Sequence, residues 1–282
     1  MQVIQALGVL REQLAEWRIT GERIALVPTM GNLHDGHLSL VEHARELADH
    51  VVVSIFVNPT QFGENEDFGN YPRTLEQDCH QLMHAGAHLV FTPDIDTMYP
   101  LGVRRATQVH VPGISRKLDG KHRPGHFDGV ATVVCRLFTM VAPDVAVFGQ
   151  KDYQQLLVIR QMVRDLSLPI IIAPAPTVRA DDGLALSSRN QYLSTEERER
   201  APLLYQQLMR VAEHLKLGNR HYAQLRDEAC EQLAAAGFVP DYVSIRHPET
   251  LKKSHKDDSE WVVLGAATLG GARLIDNLVV RP

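Results

Sequence analysis

The chain has 282 residues, of which 44% are hydrophobic and 22% charged, and its formal net charge is −5. This length allows one large domain or two modest ones, and the composition is typical of a soluble globular protein. The charge and the lack of a lysine and arginine block do not suggest a nucleic-acid partner. No apolar run approaches the roughly 20 residues that cross a bilayer, so no membrane is expected. Three widely separated cysteines and no recognisable signal peptide indicate a cytoplasmic protein without a disulfide framework.

The first part of the chain alternates between helical and strand patterns. Val3–Trp17 is predicted to be an amphipathic helix, and the later apolar runs predict strands buried on both faces of a parallel sheet. The predicted strands are Ile24–Val27, Val51–Val57, Leu89–Phe91, a short one near Gln108–Val111, Val145–Phe148 and Pro169–Ala173. Strands that alternate with helices indicate an α/β fold with a doubly wound parallel sheet.

The pattern changes after Pro174. Two charged amphipathic helices are predicted over Ser194–Leu215 and His221–Ala236. The strands predicted after them are Tyr242–Arg246, Trp261–Ala267 and Arg273–Val280. Helices followed by a run of strands indicate a smaller α+β domain. We therefore predict two domains, residues 1–177 and 178–282, with the boundary near Val178.

The stretch Ile24–Ala48 combines a predicted strand, a glycine-containing turn and a predicted helix. Such a turn directs backbone N–H groups and the positive end of the helix dipole at one point, which suits an anion. His34 and His37 stand three residues apart at the helix start and could donate hydrogen bonds to phosphate oxygens. The alternative is a pair of surface histidines that cap the helix. A zinc site is less favoured, because the helical zinc motif needs a four-residue spacing and an intervening glutamate.

Three further polar clusters follow predicted strands or stand at the domain junction, namely Asn58–Gln61, Gly149–Gln155 and Leu186–Arg189. Clusters at the carboxyl ends of parallel strands converge on one crevice. The cations and hydroxyls among them could bind phosphate, and the amides could orient a neutral polar substrate. A nucleophile elbow, a phosphate-binding Walker loop and a dinucleotide fingerprint are all missing from the sequence. The residues alone therefore predict a nucleotide-dependent group transfer.

A long segment, Thr92–Gly129, carries a local group of basic side chains. Its members are Arg116, Lys117, Lys121, His122, Arg123 and His126. They could belong to a solvated loop, or to a lid that supplies cations to a polyphosphate. Because a loop of this length is unusual in a compact domain, the segment is a candidate for function.

Six sequence motifs resemble those of the pantothenate synthetase (pantoate–β-alanine ligase) family, in order and from one end of the chain to the other. They are Pro28–His37, Phe56–Phe62, Tyr71–Thr74, Arg123–Phe127, Phe148–Gln155 and Ser187–Asn190. The wider superfamily, which includes nucleotidylyltransferases and class I aminoacyl-tRNA synthetases, has a histidine motif like His34–His37. The resemblance implies a Rossmann-like N-terminal domain, a smaller C-terminal lid domain and a homodimer.

The resemblance also implies the reaction. Pantoate attacks the α-phosphate of ATP to give pantoyl adenylate and pyrophosphate, and the amine of β-alanine then displaces AMP to give pantothenate. Mg²⁺ is expected to share the phosphate charge, although the sequence does not assign its protein ligands. In-line attack at phosphorus needs positioning and electrostatic stabilisation more than covalent help, which agrees with the residue types present.

The family's roles fall on named residues of this chain. The implied catalytic residues are His37 as proton donor, His34, Lys151, Ser187, Ser188 and Arg189, the last four holding the β- and γ-phosphates. The implied ATP-binding residues are Met30, Gly31, Asn32, Leu33, His34, Asp35, Gly36, His37, Gly149, Gln150, Lys151, Asp152, Val178, Leu186, Ser187, Ser188 and Arg189. The implied substrate-binding residues are Gln61 and Gln155 for pantoate, with Gln61 also contacting β-alanine and Asn58 supporting the pocket. Gln150 and Thr60 depart from the family pattern, but neither removes a group with an implied role.

Two other functions are compatible with parts of the sequence. A nucleotidylyltransferase that transfers a nucleotide to a phosphate acceptor would keep His34 and His37, but it would need a cationic acceptor pocket where this chain has amides. Amide side chains favour a hydroxy acid. A non-enzymatic nucleotide-binding module would not need Lys151 and the Ser187–Arg189 cluster around the same phosphates.

Overall fold

The computed structural model describes residues 1–63 and 68–281, and within them the chain divides into two compact units. Unit 1 comprises Met1–Arg116, Arg123–Gln150 and Gln154–Pro176. Unit 2 comprises Lys117–His122, Lys151–Tyr153 and Thr177–Pro282. Two short segments from the first part of the chain therefore belong to unit 2.

Unit 1 is built on a parallel sheet. In its described part, six strands lie in the order β1-β4-β3-β2-β5-β6. They are β1 (Gln2–Ile4), β2 (Ile24–Thr29), β3 (His50–Ile55), β4 (Leu89–Phe91), β5 (Val145–Gly149) and β6 (Ile171–Ala175). The helices along the same stretch of chain are α1 (Leu7–Ile19), α2 (Asp35–Leu47), α3 (Leu75–His84), α4 (Ile95–Met98), α5 (Leu118–His122, in unit 2), α6 (His126–Val141) and α7 (Tyr153–Asp165).

Helices cover both faces of this sheet. The apolar stripe of α2, which includes Leu40 and Val41, is buried against Val27 and Val147 on one face. Side chains alternate along a strand, so Phe148 points to the other face, where its ring lies 6.4 Å from that of Phe138 in α6. This arrangement confirms the predicted doubly wound, Rossmann-like sheet.

The prediction of a helix from Val3 is wrong at its beginning. Val3 lies in β1 and pairs in parallel with Val90 of β4, and α1 begins at Leu7. The helical spacing of Leu10 and Leu14 is real, since both are fully buried. The short run before it is extended because it pairs with β4 through parallel backbone hydrogen bonds along one side.

The strand predicted near Gln108–Val111 is absent from the described residues. The backbone N–H of Val109 instead donates to Oγ1 of Thr132 on α6, at 2.9 Å. A side chain on a neighbouring helix therefore satisfies the group that a sheet partner would have bound.

Unit 2 is an α+β arrangement. Its described part contains three antiparallel strands in the order β7-β8-β9. They are β7 (Val239–Arg246), β8 (Trp261–Leu269) and β9 (Ala272–Val280), preceded by α8 (Thr195–Arg200), α9 (Leu203–Lys216) and α10 (Tyr222–Ala235). α9 and α10 pack on the face of the sheet that carries Val263, Ala272 and Leu274. The residues between these on β9, including Arg273, therefore lie on the opposite face.

The single helix predicted over Ser194–Leu215 is two helices. α8 begins with a capping box between Ser194 and Glu197 and ends at Arg200, and α9 starts after Pro202. Proline has no N–H to continue the helical ladder and clashes with the preceding turn, which explains the break. Among the described residues, no helix combines the length and apolar character that crossing a membrane would require.

Candidate active site

Three of the predicted polar clusters begin where neighbouring strands of the sheet in unit 1 end. β2 leads into the histidine turn (Met30–His37), β3 leads into Asn58–Gln61, and β5 ends at Gly149. These strands are neighbours in the order β3-β2-β5. The chain winds outward from β2 through β3 to β4 and then returns to β5 on the other side of β2. The switch point of the topology therefore lies between β2 and β5, where open α/β sheets bind ligands.

The histidine turn is held by its main chain. Gly31 and Asn32 have φ angles of +78° and +52°, a conformation that glycine and asparagine tolerate best. Asp78 of α3 is 1% exposed, and its carboxylate accepts the N–H groups of Asn32 at 3.0 Å and Leu33 at 2.9 Å. A Cβ atom at Gly31 would approach the same carboxylate to 3.0 Å. The buried charge thus fixes the path of the turn.

His34 and His37 lie together at the start of α2. The His34 ring caps the helix, because Nδ1 accepts the N–H of Gly36 at 3.1 Å. If the ring is neutral, its proton is therefore on Nε2, which makes that nitrogen a donor. The two rings are 4.1 Å apart and tilted by 40°, and both side chains are half-buried. The capping prediction is confirmed for His34, and this cap does not use the ring of His37.

Asn58 and Gln61 form a hydrogen-bonded pair after β3, in which Asn58 is buried and Gln61 is half-buried. Asn58 is 1% exposed, and its Nδ2 donates to Oε1 of Gln61 at 3.1 Å and to the carbonyl oxygen of Gly129 at 3.2 Å. Its Oδ1 accepts the hydroxyl of Tyr99 at 2.6 Å. Burial raises the pKa of Tyr99, which keeps this hydroxyl protonated. Asn58 therefore orients Gln61, whose Nε2 lies 3.2 Å from Sδ of Met30.

The main chain of Gln61 is also fixed from α6. Nδ1 of His126 donates to the carbonyl oxygen of Gln61 at 2.8 Å, and Arg123 donates to Nε2 of the same ring at 3.0 Å. Because an arginine only donates, the ring carries its proton on Nδ1. A Cβ atom at Gly129 would overlap the carbonyl oxygen of Thr60. The helix therefore approaches the turn as closely as two backbones allow.

Lys151 lies in unit 2, in the short segment that follows β5. Its ammonium is 3.7 Å from the carboxylate of Asp152, and the two side chains are 19% and 47% exposed. The carbonyl oxygen of Lys151 accepts the side-chain amide of Asn277 on β9 at 2.9 Å. The backbone at Lys151 is thus fixed by the last strand of unit 2.

The serine hairpin (Val178–Arg189) also belongs to unit 2. Arg179 and Ala185 form an antiparallel bridge, and the N–H of Leu186 donates to the carbonyl oxygen of Val178 at 3.0 Å. Ser187 then caps a short 3-10 turn, since its hydroxyl accepts the N–H of Arg189 at 3.3 Å. This folding brings Val178 next to Leu186, and it exposes part of each side chain from Leu186 to Arg189.

One cavity of unit 2 is bordered both by the segment that contains Lys151 and by the serine hairpin. Lys151 and Ser187 both line it, together with Asn190, Tyr205 and Asp276. The cation and the hydroxyl that the sequence singled out separately therefore border the same space. Among the predicted site residues of unit 1, Gln155 is half-buried in the first turn of α7, and Asp35 is exposed at the start of α2.

The model of the Pantoate-beta-alanine ligase family matches residues 2–279 of the chain. The chain belongs to this family. The resemblance given by the six motifs is therefore confirmed, and so is the prediction that the chain is an enzyme of the ligase class.

Curated relatives and solved structures of the family extend over the same length. Pantothenate synthetases of Ectopseudomonas mendocina and Hahella chejuensis are 56% and 54% identical over 281 residues, covering 100% of this chain and 99% of each relative. The crystal structure of the Thermus thermophilus pantothenate synthetase has a TM-score of 0.93 at 48% identity, with 100% of both chains covered. A pantoate-beta-alanine ligase from Francisella tularensis, solved in complex with beta-gamma ATP and beta-alanine, has a TM-score of 0.83 at 33% identity, with 99% and 97% covered.

Several residues that shape this site were missed by reasoning from the sequence. Asp78 had a usable signal, because it stands four residues before the buried Leu82 and so on the buried face of α3. A charge on that face needs a partner. Tyr99, Arg179 and Asp276 gave no such signal, because their partners lie far away in the sequence.

The basic group of Thr92–Gly129 is divided between the units. Arg123 and His126 support Gln61 in unit 1, whereas Lys117 donates to the carbonyl oxygen of Thr250 at 2.6 Å in unit 2. All three side chains therefore donate hydrogen bonds to backbone carbonyls of the chain itself.

Proposed function

We propose that the chain condenses (R)-pantoate with β-alanine in an ATP-dependent reaction that passes through pantoyl adenylate and releases pantothenate, AMP and diphosphate. Pantothenate is a precursor of coenzyme A. The observation that carries the proposal is the position of the amide pair Asn58 and Gln61. The pair follows the carboxyl end of β3, next to the strand β2 that leads to His34 and His37. The family membership and the bound ligands of the Francisella tularensis relative support it.

In the first step, a carboxylate oxygen of pantoate attacks the α-phosphorus and the bond to the β-phosphate oxygen breaks. An amide nitrogen carries two hydrogens, so Gln61 has a donor for the acid in addition to the one that faces Met30. Gln155 is proposed as a second amide for pantoate. His34 and His37 stabilise the charge that moves onto the leaving diphosphate, with His37 as the proton donor.

The diphosphate part of ATP is assigned to cationic and hydroxyl groups of unit 2. We assign the β- and γ-phosphates to Lys151, Ser187, Ser188 and Arg189, which combine a point charge, two hydroxyls and a planar fork. The common border of Lys151 and Ser187 on one cavity supports this grouping. Gly149, Asp152 and Val178 are proposed contacts of the adenosine part, and Met30–Gly36, Gln150 and Leu186 complete the ATP-binding set.

In the second step, the amine of β-alanine attacks the acyl carbon of pantoyl adenylate. A C–N bond forms, the bond from the acyl carbon to the AMP oxygen breaks, and AMP leaves with the electron pair. The amine nitrogen gives up one proton to solvent as the amide forms. Gln61 is proposed to contact β-alanine as well as pantoate. The residues contribute placement here rather than a nucleophile, since the activated acid is already reactive.

Magnesium enters the proposal as part of the substrate MgATP. Within residues 1–63 and 68–281, no group of three or more His, Cys, Asp and Glu side chains is arranged to hold a metal ion. Mg²⁺ keeps several waters and is usually bound by substrate phosphates and one or two carboxylates. A homodimer in the cytoplasm is also proposed, on the family resemblance, and light scattering of the purified chain tests the oligomeric state.

Release of pyrophosphate tests the proposed function. The purified chain is incubated with ATP and Mg²⁺, with or without pantoate, before and after β-alanine is added. We expect sustained release only when both acids are present, with AMP and pantothenate as the other products. Release that ignores pantoate would refute the ligase assignment and favour transfer of the adenylyl group to another acceptor, and no use of ATP at all would favour a binding module.

A further inference from the structure

Two adjacent residues of β9 contact the two parts of unit 2 that carry the proposed phosphate-binding groups. Asp276 and Asn277 are only 5% and 7% exposed, although both are polar. Neighbouring residues of a strand point to opposite faces of the sheet. The strand can therefore reach one segment on the helix-covered face through Asp276 and another on the opposite face through Asn277.

Asp276 holds the start of the serine hairpin. Its two carboxylate oxygens accept Arg179 at 2.6 and 2.8 Å, and the guanidinium lies 3.6 Å from the centre of the Tyr205 ring. Arg179 also donates to the carbonyl oxygen of Gly183 at the tip of the hairpin, at 3.0 Å. A bidentate pair stacked on an aromatic ring fixes orientation as well as distance. The position of Ser187, eight residues after Arg179, is set by this anchor.

Asn277 holds Lys151 on the other face. Its side-chain amide donates to the carbonyl oxygen of Lys151 at 2.9 Å. Its backbone N–H donates to Oδ1 of Asp276 at 2.7 Å, so the two anchors are joined through one carboxylate. Arg273 lies on the same face of β9 as Asn277 and forms ion pairs with Asp119 and Asp241. This face of the strand therefore receives both short segments that unit 2 takes from earlier in the chain.

We propose that Asp276 and Asn277 are positioning residues for the diphosphate part of ATP. Asn277 sets the backbone from which the Lys151 ammonium extends, and Asp276, through Arg179, sets the hairpin that carries Ser187, Ser188 and Arg189. This inference rests on the proposed function. Each anchor is needed, because displacement of a single reacting or charge-stabilising group by about 1 Å can cost about 100-fold in rate.

Two isosteric variants test the proposal. Asn277→Asp keeps the shape but has no N–H to donate to the Lys151 carbonyl, and Asp276→Asn loses one of the two acceptors that face Arg179. Arg273→Gln is the matched control, because it removes contacts from the same strand to the other inserted segment. For each variant we measure KM for ATP and for pantoate, the inhibition constants of pyrophosphate and AMP, and Tm.

We expect KM for ATP and the inhibition constant of pyrophosphate to rise together by about tenfold or more in both variants, because contacts to the β- and γ-phosphates are weakened. KM for pantoate and the inhibition constant of AMP should stay within about twofold, since the affected groups face the β- and γ-phosphates. The control should lower Tm while all four constants stay within about twofold. If Asp276→Asn fails to fold, Arg179→Lys, which keeps the charge without the fork, should give the same pattern.

The proposal is overturned if the variants match the control, or if all four constants change by the same factor. Assays of the unaltered chain separate a failure of the proposed function from a failure of the positioning role. If it shows no pantoate-dependent release of pyrophosphate, the proposed function and the positioning role both fall. If it makes pantothenate and the variants keep their affinity for ATP and pyrophosphate, only the positioning role falls.

Discussion

In unit 1, the turn that carries His34 and His37 is held by its main chain, because the buried carboxylate of Asp78 accepts two backbone N–H groups. In unit 2, the serine hairpin is held by a side chain, because Asp276 binds the guanidinium of Arg179. Both loops carry groups proposed for phosphate, and both depend on one buried carboxylate from a distant element. They differ in what the carboxylate holds.

This difference affects how each loop tolerates change. Backbone amides are present whatever the side chains are, so the histidine turn depends on Asp78 and on the φ angles of Gly31 and Asn32. The hairpin depends on a particular arginine and a particular aspartate that must be kept together. The histidine turn therefore requires one particular distant side chain, that of Asp78. The serine hairpin requires two particular side chains that are far apart in the sequence, those of Arg179 and Asp276.

The largest expected effect comes from removing a reacting group from the well-anchored turn. His37→Ala should lower kcat by about 100-fold to 10,000-fold, as for loss of a general acid, while Tm stays close to that of the unaltered chain. His43→Ala is the control, because His43 is on the same helix and pairs with the exposed Glu46 at 3.1 Å. Turnover of His37→Ala close to that of the control would contradict the proposed role.

The next largest effect is expected from a variant in unit 1 that weakens the binding of pantoate and leaves the binding of ATP unchanged. Gln61→Ala should raise KM for pantoate by about 10-fold to 100-fold, since a hydrogen bond to a charged group is lost, and should leave KM for ATP within about twofold. Steady-state kinetics with each substrate varied in turn measures both constants. Equal increases for pantoate and ATP would mean that Gln61 does not line the acid pocket.

The main-chain anchor itself is tested by Asp78→Ala. The N–H groups of Asn32 and Leu33, the second of which is buried, would lose their acceptor. The free energy of unfolding should therefore fall by about 1–3 kcal/mol, and kcat should fall several-fold because the turn shifts. Urea unfolding and turnover measure the two effects. Glu76→Ala, an exposed position of the same helix, should change neither. Unchanged stability in Asp78→Ala would show that the turn is held by something else.

The smallest expected effect concerns the amino ends of the strands in the same sheet, opposite the candidate site. Nδ1 of His88 accepts the N–H of Val51 at the start of β3, at 2.9 Å. Burial, and then the positive charges of His50 and Arg45, lower the pKa of His88 below its usual value. As the pH falls below about 6.5, the unfolded chain binds a proton that the folded chain does not, so the stability present at neutral pH is lost.

Unfolding titrations between pH 7.5 and 5 check this contribution. His88→Asn keeps an acceptor for Val51 but does not titrate, so its stability should fall less steeply with decreasing pH than that of the unaltered chain. Identical slopes would contradict the assignment. Because His88 lies at the amino end of the strands, kcat at neutral pH should be the same in both chains.

The sequence was informative where a structural cause is local. The apolar runs of β2, β3 and β5 and the turn before α2 were predictable, because buried parallel strands and a strand-to-helix turn leave short-range patterns. The edge strand β1 was not predictable, since it forms only because β4 offers it a ladder. Residues 117–122 and 151–153 belong to unit 2 through contacts with Arg273 and Asn277. These partners are more than 100 residues away in the sequence, so no local pattern predicts the contacts.

The position of β9 late in the chain has a consequence for synthesis. Asp119 and its partner Arg273 are separated by 154 residues, and ribosomes add about 5–20 residues per second. The segment that contains Asp119 therefore emerges roughly 8 to 30 seconds before the strand that receives it. During that interval the first sheet can assemble, but Lys117–His122 and Lys151–Tyr153 have no docking partner on β9. A ribosome stalled before residue 273 would hold a chain in which those two segments still lack their contacts with β9.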